Sequence, residues 1–343
     1  MGIVVTAVAA AIFVLAASAS RTNGQTSLVG AGATFPYPIY SRWISEYQKV
    51  NPQIEINYEP IGSGEGILEI IKGTVDFGAS DAPLDDAQLA EYRQKHGTGI
   101  LHFPTVLGAD VPTYNIPGAG IEVRFLPAAL AGIFLGKITK WNDPLLLSAN
   151  PDAPLPDHHI VVVFRSDGSG TTYIWTDYLA KVSREWKQNV GVGTSVKWPV
   201  GIGAIGNAGV TNRVNETPYS IGYVELAYAV DKKLSYGAVK NQAGKFVKAD
   251  IGSVAAAAET IRIMPDDFRI SITNAPGERA YPISSFTWLL VPEKFPDKTK
   301  SKAMRDFLQW ILTDGQQLTA GHQYTPLPKE VVVKEQQALA KVR

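Results

Sequence analysis

Apolar positions along the chain alternate between two spacings. The short β-branched or aromatic runs IEINYEPIG (Ile54–Gly62), IVVVFRS (Ile160–Ser166) and FTWLLVP (Phe286–Pro292) read as strands. Other segments have helical spacing: GILEIIKGT (Gly66–Thr74), DDAQLAEYRQKHG (Asp85–Gly97), LPAALAGIFLG (Leu126–Gly136), TTYIWTDYLAKVSREW (Thr171–Trp186) and KAMRDFLQWILTDGQQLTAG (Lys302–Gly321). Gly97 supplies a stop and Pro127 lies near a start. ILHFPTVLGADVPTYNI (Ile100–Ile116) reads as extended, and YSIGYVELAYAV (Tyr219–Val230) as a strand followed by a loop. Alternation of this kind predicts an α/β architecture, mostly parallel sheets flanked by helices.

In such sheets ligands sit beyond the carboxyl ends of strands, where loops enter helices. Three such junctions collect hydroxyls and small residues: Thr34-Phe35-Pro36, Ser63 in PIGSGEG, and Ser169-Gly170-Thr171 in FRSDGSGTT, where Arg165 comes just before. Amides in a first helical turn lack an internal acceptor, and with the helix dipole they attract anions that glycine allows to approach closely. Any one junction reads equally as an ordinary N-cap. Three of them with an arginine point to one anion, and the pattern leaves open which.

Charge and composition narrow the field. Lys plus Arg number 32 and so do Asp plus Glu. No excess of positive charge points to nucleic acid, so an anion must be held by local donors. There is no cysteine, which removes disulfides, lipidated cysteine and thiol metal sites. His158-His159 lies in PDAPLPDHHI and reads as a solvated turn. Gly201-Ile202-Gly203-Ala204-Ile205-Gly206 fits a dinucleotide-type string, but Pro199 interrupts the strand such a loop requires, so a tight packed loop is expected. No metal or cofactor is expected. At the N-terminus an apolar stretch, Ile3–Ala16, precedes Ala17-Ser18-Ala19, with no basic residue ahead of it. It is short for a membrane span and reads as a signal peptide over 1–19, which predicts a periplasmic protein, soluble once cleaved.

GAGATFPYPIYSRW, IGSGEG, TVDFGASDAPL, FRSDGSGTTYIWTDYLAKV, VKWPVGIGAIGNAGV and SIGYVELAYAV occur in this order from about Leu28 to the C-terminal helix. Together they resemble the periplasmic phosphate-binding proteins of bacterial phosphate ABC transporters. That resemblance implies two α/β lobes of the periplasmic-binding-protein fold (type II), joined by a two-strand hinge and closing on the ligand without catalysis. Lobe I would comprise 28–106 plus 284–343, and lobe II 107–283. The resemblance further implies a monomer that takes inorganic phosphate, and arsenate nearly as well, and delivers it to membrane permease and ATPase subunits. The implied phosphate contacts are Thr34, Phe35, Ser63, Asp81, Arg165, Ser169, Gly170 and Thr171, with Asp167 holding Arg165.

Asp81 aims a carboxylate at an anion, which makes sense only for a ligand that carries a proton. Phosphate does so near neutral pH and sulfate does not, so Asp81 would reject sulfate. Two departures from the family pattern stand out: Glu65 inside GSGEG, and Pro112-Thr113-Tyr114 in place of an apolar run near the crossover. The alternatives are an exported phosphatase or phosphotransferase using the Ser169 or Thr171 hydroxyl, which would require a tuned base or metal, and a binder of another tetrahedral oxyanion such as sulfate or molybdate.

Overall fold

The computed structural model describes residues 25–118, 120 and 122–343, so the predicted signal segment lies outside the described residues. The chain begins with strand–helix pairs: β1 (Thr26–Gly32), α1 (Tyr37–Val50), β2 (Ile54–Glu59), α2 (Ser63–Lys72), β3 (Phe77–Ser80) and α3 (Asp86–His96). In α1, Ile39, Tyr40, Trp43 and Tyr47 form the buried stripe. Asp85 and Gln88 form a reciprocal capping box on α3, which ends at left-handed Gly97.

After the long β4 (Ile100–Asn115), the middle of the chain adds β5 (Arg124–Phe125), α4 (Pro127–Phe134), α5 (Pro144–Ala149), β6 (Val161–Arg165), α6 (Gly170–Val182), α7 (Arg184–Asn189), β7 (Ile202–Ala204), α8 (Gly206–Glu216) and β8 (Ser220–Glu225). Next come α9 (Leu226–Asp231), β9 (Ser235–Tyr236), β10 (Ala238–Lys240), β11 (Phe246–Val247) and α10 (Ile251–Ala258). The chain closes with β12 (Ser284–Pro292), α11 (Lys298–Trp310) and α12 (Lys329–Ala338).

Three predicted elements differ. The helix expected over Thr171–Trp186 breaks at Ser183, which leaves helical geometry and caps α7 through Trp186 N–H. The loop expected after the Tyr219 strand is helix α9, whose amide at Ala227 is capped by the Glu225 carboxylate. The helix expected over Lys302–Gly321 stops at Trp310 and passes into a π-turn over Ile311–Gly315.

The main sheet runs β2-β1-β3-β12-β4-β8-β6-β7, with β9 also on β4. Its flanks are parallel, as predicted, but its centre is antiparallel, because β4 and β12 run past each other in opposite directions. β4 pairs β12 from Ile100 to Ala109, then pairs β8 from Asp110 to Asn115. One strand therefore belongs to both halves of the sheet and changes neighbours at Asp110. The first half packs Tyr40, Trp43, Tyr47 and Phe307, and the second Phe134, Trp175, Trp198 and Tyr223.

A further link joins the halves. Met264–Arg269 lies against elements of the first half: Lys334 donates to Met264 O (2.6 Å), Trp288 Nε1 to Phe268 O (2.9 Å) and Arg269 Nη1 to Leu84 O (3.0 Å). Just beyond, Ser271 and Thr273 return to Asp177 and Lys181 on α6. This segment thus contacts both halves of the sheet.

Candidate functional site

The carboxyl ends of β1, β2, β3, β6, β7 and β8 deliver Thr34, Ser63, Asp81, Arg165, Asn207 and Glu225, all buried. This is where an open α/β sheet places its ligands.

Asp81 follows β3. Its Oδ1 accepts from the Thr287 hydroxyl at 2.6 Å and its Oδ2 from Ser63 Oγ at 3.3 Å. Burial pushes the carboxyl up to about 7, against the opposing pull of Thr287, Arg165 and Ser63. Arg165 ends β6 and is 3% exposed. Its Nε and Nη2 fork onto Asp167 at 2.7 and 2.5 Å, and Nη1 donates to Thr171 Oγ1 at 3.2 Å. Asp167 also accepts from Gly206 N–H at 3.0 Å. Burial would raise the Asp167 carboxyl, but these donors, Arg165 foremost, bring it below the usual range.

The hydroxyls are already used as acceptors. Ser169 Oγ caps α6 by accepting from Thr172 N–H (3.0 Å). Thr171 Oγ1 accepts from Arg165 and from Asn207 Nδ2 (3.0 Å), and Thr34 Oγ1 from Asn207 Nδ2 (2.9 Å). A hydroxyl occupied as an acceptor still has its hydrogen to give, and an anion is the natural recipient. Tyr228 OH donates to Thr34 O at 2.6 Å. In a trans peptide, that turns the Phe35 N–H the opposite way.

Asn207 was not identified from sequence. It bridges Thr34 and Thr171, while its Oδ1 accepts from Glu225 N–H at 2.9 Å. The available signal was the glycine string before it. That string is not a packed loop: β7 covers Ile202–Ala204 and α8 starts at Gly206, making a further helix N-terminus at the site. Thr287, on β12, was also missed. Glu65 is exposed in the first turn of α2. His158 is exposed and stacks on Tyr219 with ring centroids 3.9 Å apart.

The two halves meet here. Gly64 N–H donates to Gly168 O at 2.9 Å, and Asn207 and Tyr228 reach across to Thr34. Grooves of about 420 and 440 Å³ flank this seam, and neither is lined by Asp81 or Arg165. A Cβ on Gly170 would lie 2.4 Å from both Asp81 Oδ2 and Ser63 Oγ. Gly170→Ala should therefore hold the halves apart while each folds. The expected result is a larger radius of gyration by solution X-ray scattering with unchanged circular dichroism, and an unchanged radius would contradict it.

A family model described as a PBP superfamily domain matches residues 17–315. A phosphate-binding protein PstS of Xylella fastidiosa is 45% identical over 320 residues, covering 92% of this chain and 85% of its own. The PstS protein of Pasteurella multocida is 44% identical, covering 93% and 91%. Among solved structures, a high-affinity periplasmic phosphate-binding protein bound with phosphate superposes with a TM-score of 0.75 at 22% identity, over 91% of this chain and 93% of its own.

Proposed function

The chain belongs to the PstS family of phosphate-binding proteins, and we propose that it captures inorganic phosphate at the seam between its halves and delivers it to the permease and ATPase subunits of a phosphate ABC transporter. The observation that carries this reading is the meeting of the α2 and α6 starts at Asp81, where Ser63 Oγ donates to the carboxylate and a Cβ on Gly170 would touch it, with the buried Arg165 charge acting on the same carboxylate. Its relatives are named as binding proteins, not enzymes.

Thr34, Phe35 and Ser63 would donate from lobe I, and Arg165, Ser169, Gly170 and Thr171 from lobe II. We take lobe I as 28–106 plus 284–343 and lobe II as 107–283, the crossovers being β4 near its change of partner and the entry to β12. Ligand contacts from both lobes exist only on closure, so phosphate would shift the population toward the closed state. Asp81 Oδ2 would accept the phosphate proton and leave sulfate facing a charge. Arsenate, with the same shape and protons, would bind nearly as well. The protein would work as a periplasmic monomer after signal cleavage. No helix among the described residues is long and apolar enough to cross a membrane.

Calorimetric titration of the phosphate-stripped protein tests this. One-to-one phosphate binding with silent sulfate is expected at pH 8, above the raised Asp81 value, and no turnover of a chromogenic phosphomonoester. Equal binding of both anions would remove the proposed selectivity, and hydrolysis would revive the enzyme reading.

A further inference from the structure

Asp110 and Glu225 are Cα partners in the antiparallel β4–β8 ladder, so their side chains leave the same face of the sheet. Both are completely buried. Glu225 Oε2 is well provided for, by Ala227 N–H at 2.7 Å and Tyr324 OH at 3.1 Å. Its Oε1 and both Asp110 oxygens have no hydrogen-bond partner among the described residues.

The groups acting on Asp110 are Asp81, Glu225 and Arg165, with the Tyr223 and Tyr281 rings beside it; Glu225 faces Tyr324, Tyr228 and Asp81. Arg165 is the cation among them, and its fork is already committed to Asp167. Two ionised carboxylates opposite one another in a dry sheet repel and are unsolvated. Burial, then neighbouring carboxylates, hold Asp110 well above the usual range; burial holds Glu225 there too, despite its donors.

One proton resolves the arrangement. A neutral Asp110 would donate its O–H to Glu225 Oε1, leaving the charge on the carboxylate that has an N–H and an O–H to receive it. The pair sits where β4 changes partner, at the junction between the halves. Opening there would admit water, in which both carboxylates would ionise, whereas closing around an anion would favour the protonated pair.

Resting on the phosphate reading above, we propose that Asp110 and Glu225 share one proton in the closed, phosphate-bound protein and lose it to solvent on opening, so that capture takes up a proton and weakens as the medium turns alkaline. Asp110 touches no ligand in this scheme and sets the charge behind the site.

The test compares the full chain with Asp110→Asn, whose amide can still donate to Glu225 Oε1, and with Glu225→Gln in case the first variant fails to fold. Phosphate titrations between pH 7 and 9, in buffers of different ionisation heat, count protons. The unaltered protein should take up more protons per phosphate than either variant, by as much as one. Its affinity should then fall more steeply with pH, by up to about tenfold per unit. Equal proton counts with parallel pH profiles would overturn the proposal.

A protein that binds no phosphate at any pH would overturn the functional reading instead, and melting curves with and without saturating phosphate separate the two. With phosphate the closed pair holds a proton that the unfolded chain does not above about pH 4, so the pair's contribution to stability falls as pH rises. The melting temperature of phosphate-loaded Asp110→Asn should therefore gain on that of the loaded unaltered protein toward pH 9, and the gap should widen less without phosphate. A phosphate-loaded gap that does not widen with pH would overturn the shared proton.

Discussion

Arg165→Ala will reduce phosphate affinity by between about thirtyfold and several thousandfold, the range for truncating one member of a buried, hydrogen-bonded charge pair. The reason lies in what the guanidinium already holds. It forks onto Asp167 and steadies Thr171, and it is the cation among the groups acting on Asp81. Removing it deprives the anion of a charged donor and leaves Asp167 with Gly206 N–H in place of the fork. Ser169→Ala should be far milder, because that hydroxyl caps α6, a role worth about 1 kcal/mol. Calorimetry on both variants decides the matter. Equal losses would mean that Arg165 does not face the anion.

Asp81→Asn will collapse discrimination between phosphate and sulfate. A site that pairs a ligand proton can reject the analogue lacking it by about 10⁴-fold, and a carboxamide can donate to sulfate where a carboxylate repels it. Because the Asp81 carboxyl is raised to about 7, sulfate should already compete better in the unaltered protein as pH falls through that value and the acid becomes a donor. The same shift governs stability. Its folded value exceeds the ordinary one of about 3.9, so the favourable contribution of the protonated form is complete below about pH 4 and is lost as pH rises through about 7. Ligand-free Asp81→Asn should therefore melt above the unaltered protein at pH 8 and level with it near pH 4. Competition assays at pH 5.5 and 8 with matched melting curves check both parts, and selectivity unchanged by the substitution would refute the proton-reading role.

The legible parts of the molecule were those whose causes are local. The stop at Gly97 and the hydroxyl-bearing helix starts at Ser63 and Ser169 each act within a few residues. The Arg165–Asp167 fork spans two residues, and the family resemblance, not local spacing, implied it. What stayed hidden depends on distant partners. Thr287 reaches Asp81 across 206 residues and Asn207 reaches Thr34 across 173. Asp110 lies in a run whose pattern says only that it is extended, and the ladder sets it opposite Glu225. Helix α9 was read as a loop because its start is fixed by the side chain of the last strand residue, which the hydrophobic pattern does not register.

The antiparallel centre of the sheet has a consequence for how this chain is made. β3 can be flanked on its inner side only by β12, with Ser80 paired to Trp288. On a ribosome, the first three strands therefore emerge with an open edge and must wait while everything up to β12 is synthesised. The second half, whose β6, β7 and β8 lie close together in sequence, can close far sooner. Loop closure over such a distance is slow, and an unpaired strand edge invites association with other chains. Nascent chains of this protein should thus depend on a holding chaperone until the last quarter has appeared, and the half that begins first should be the half that finishes last.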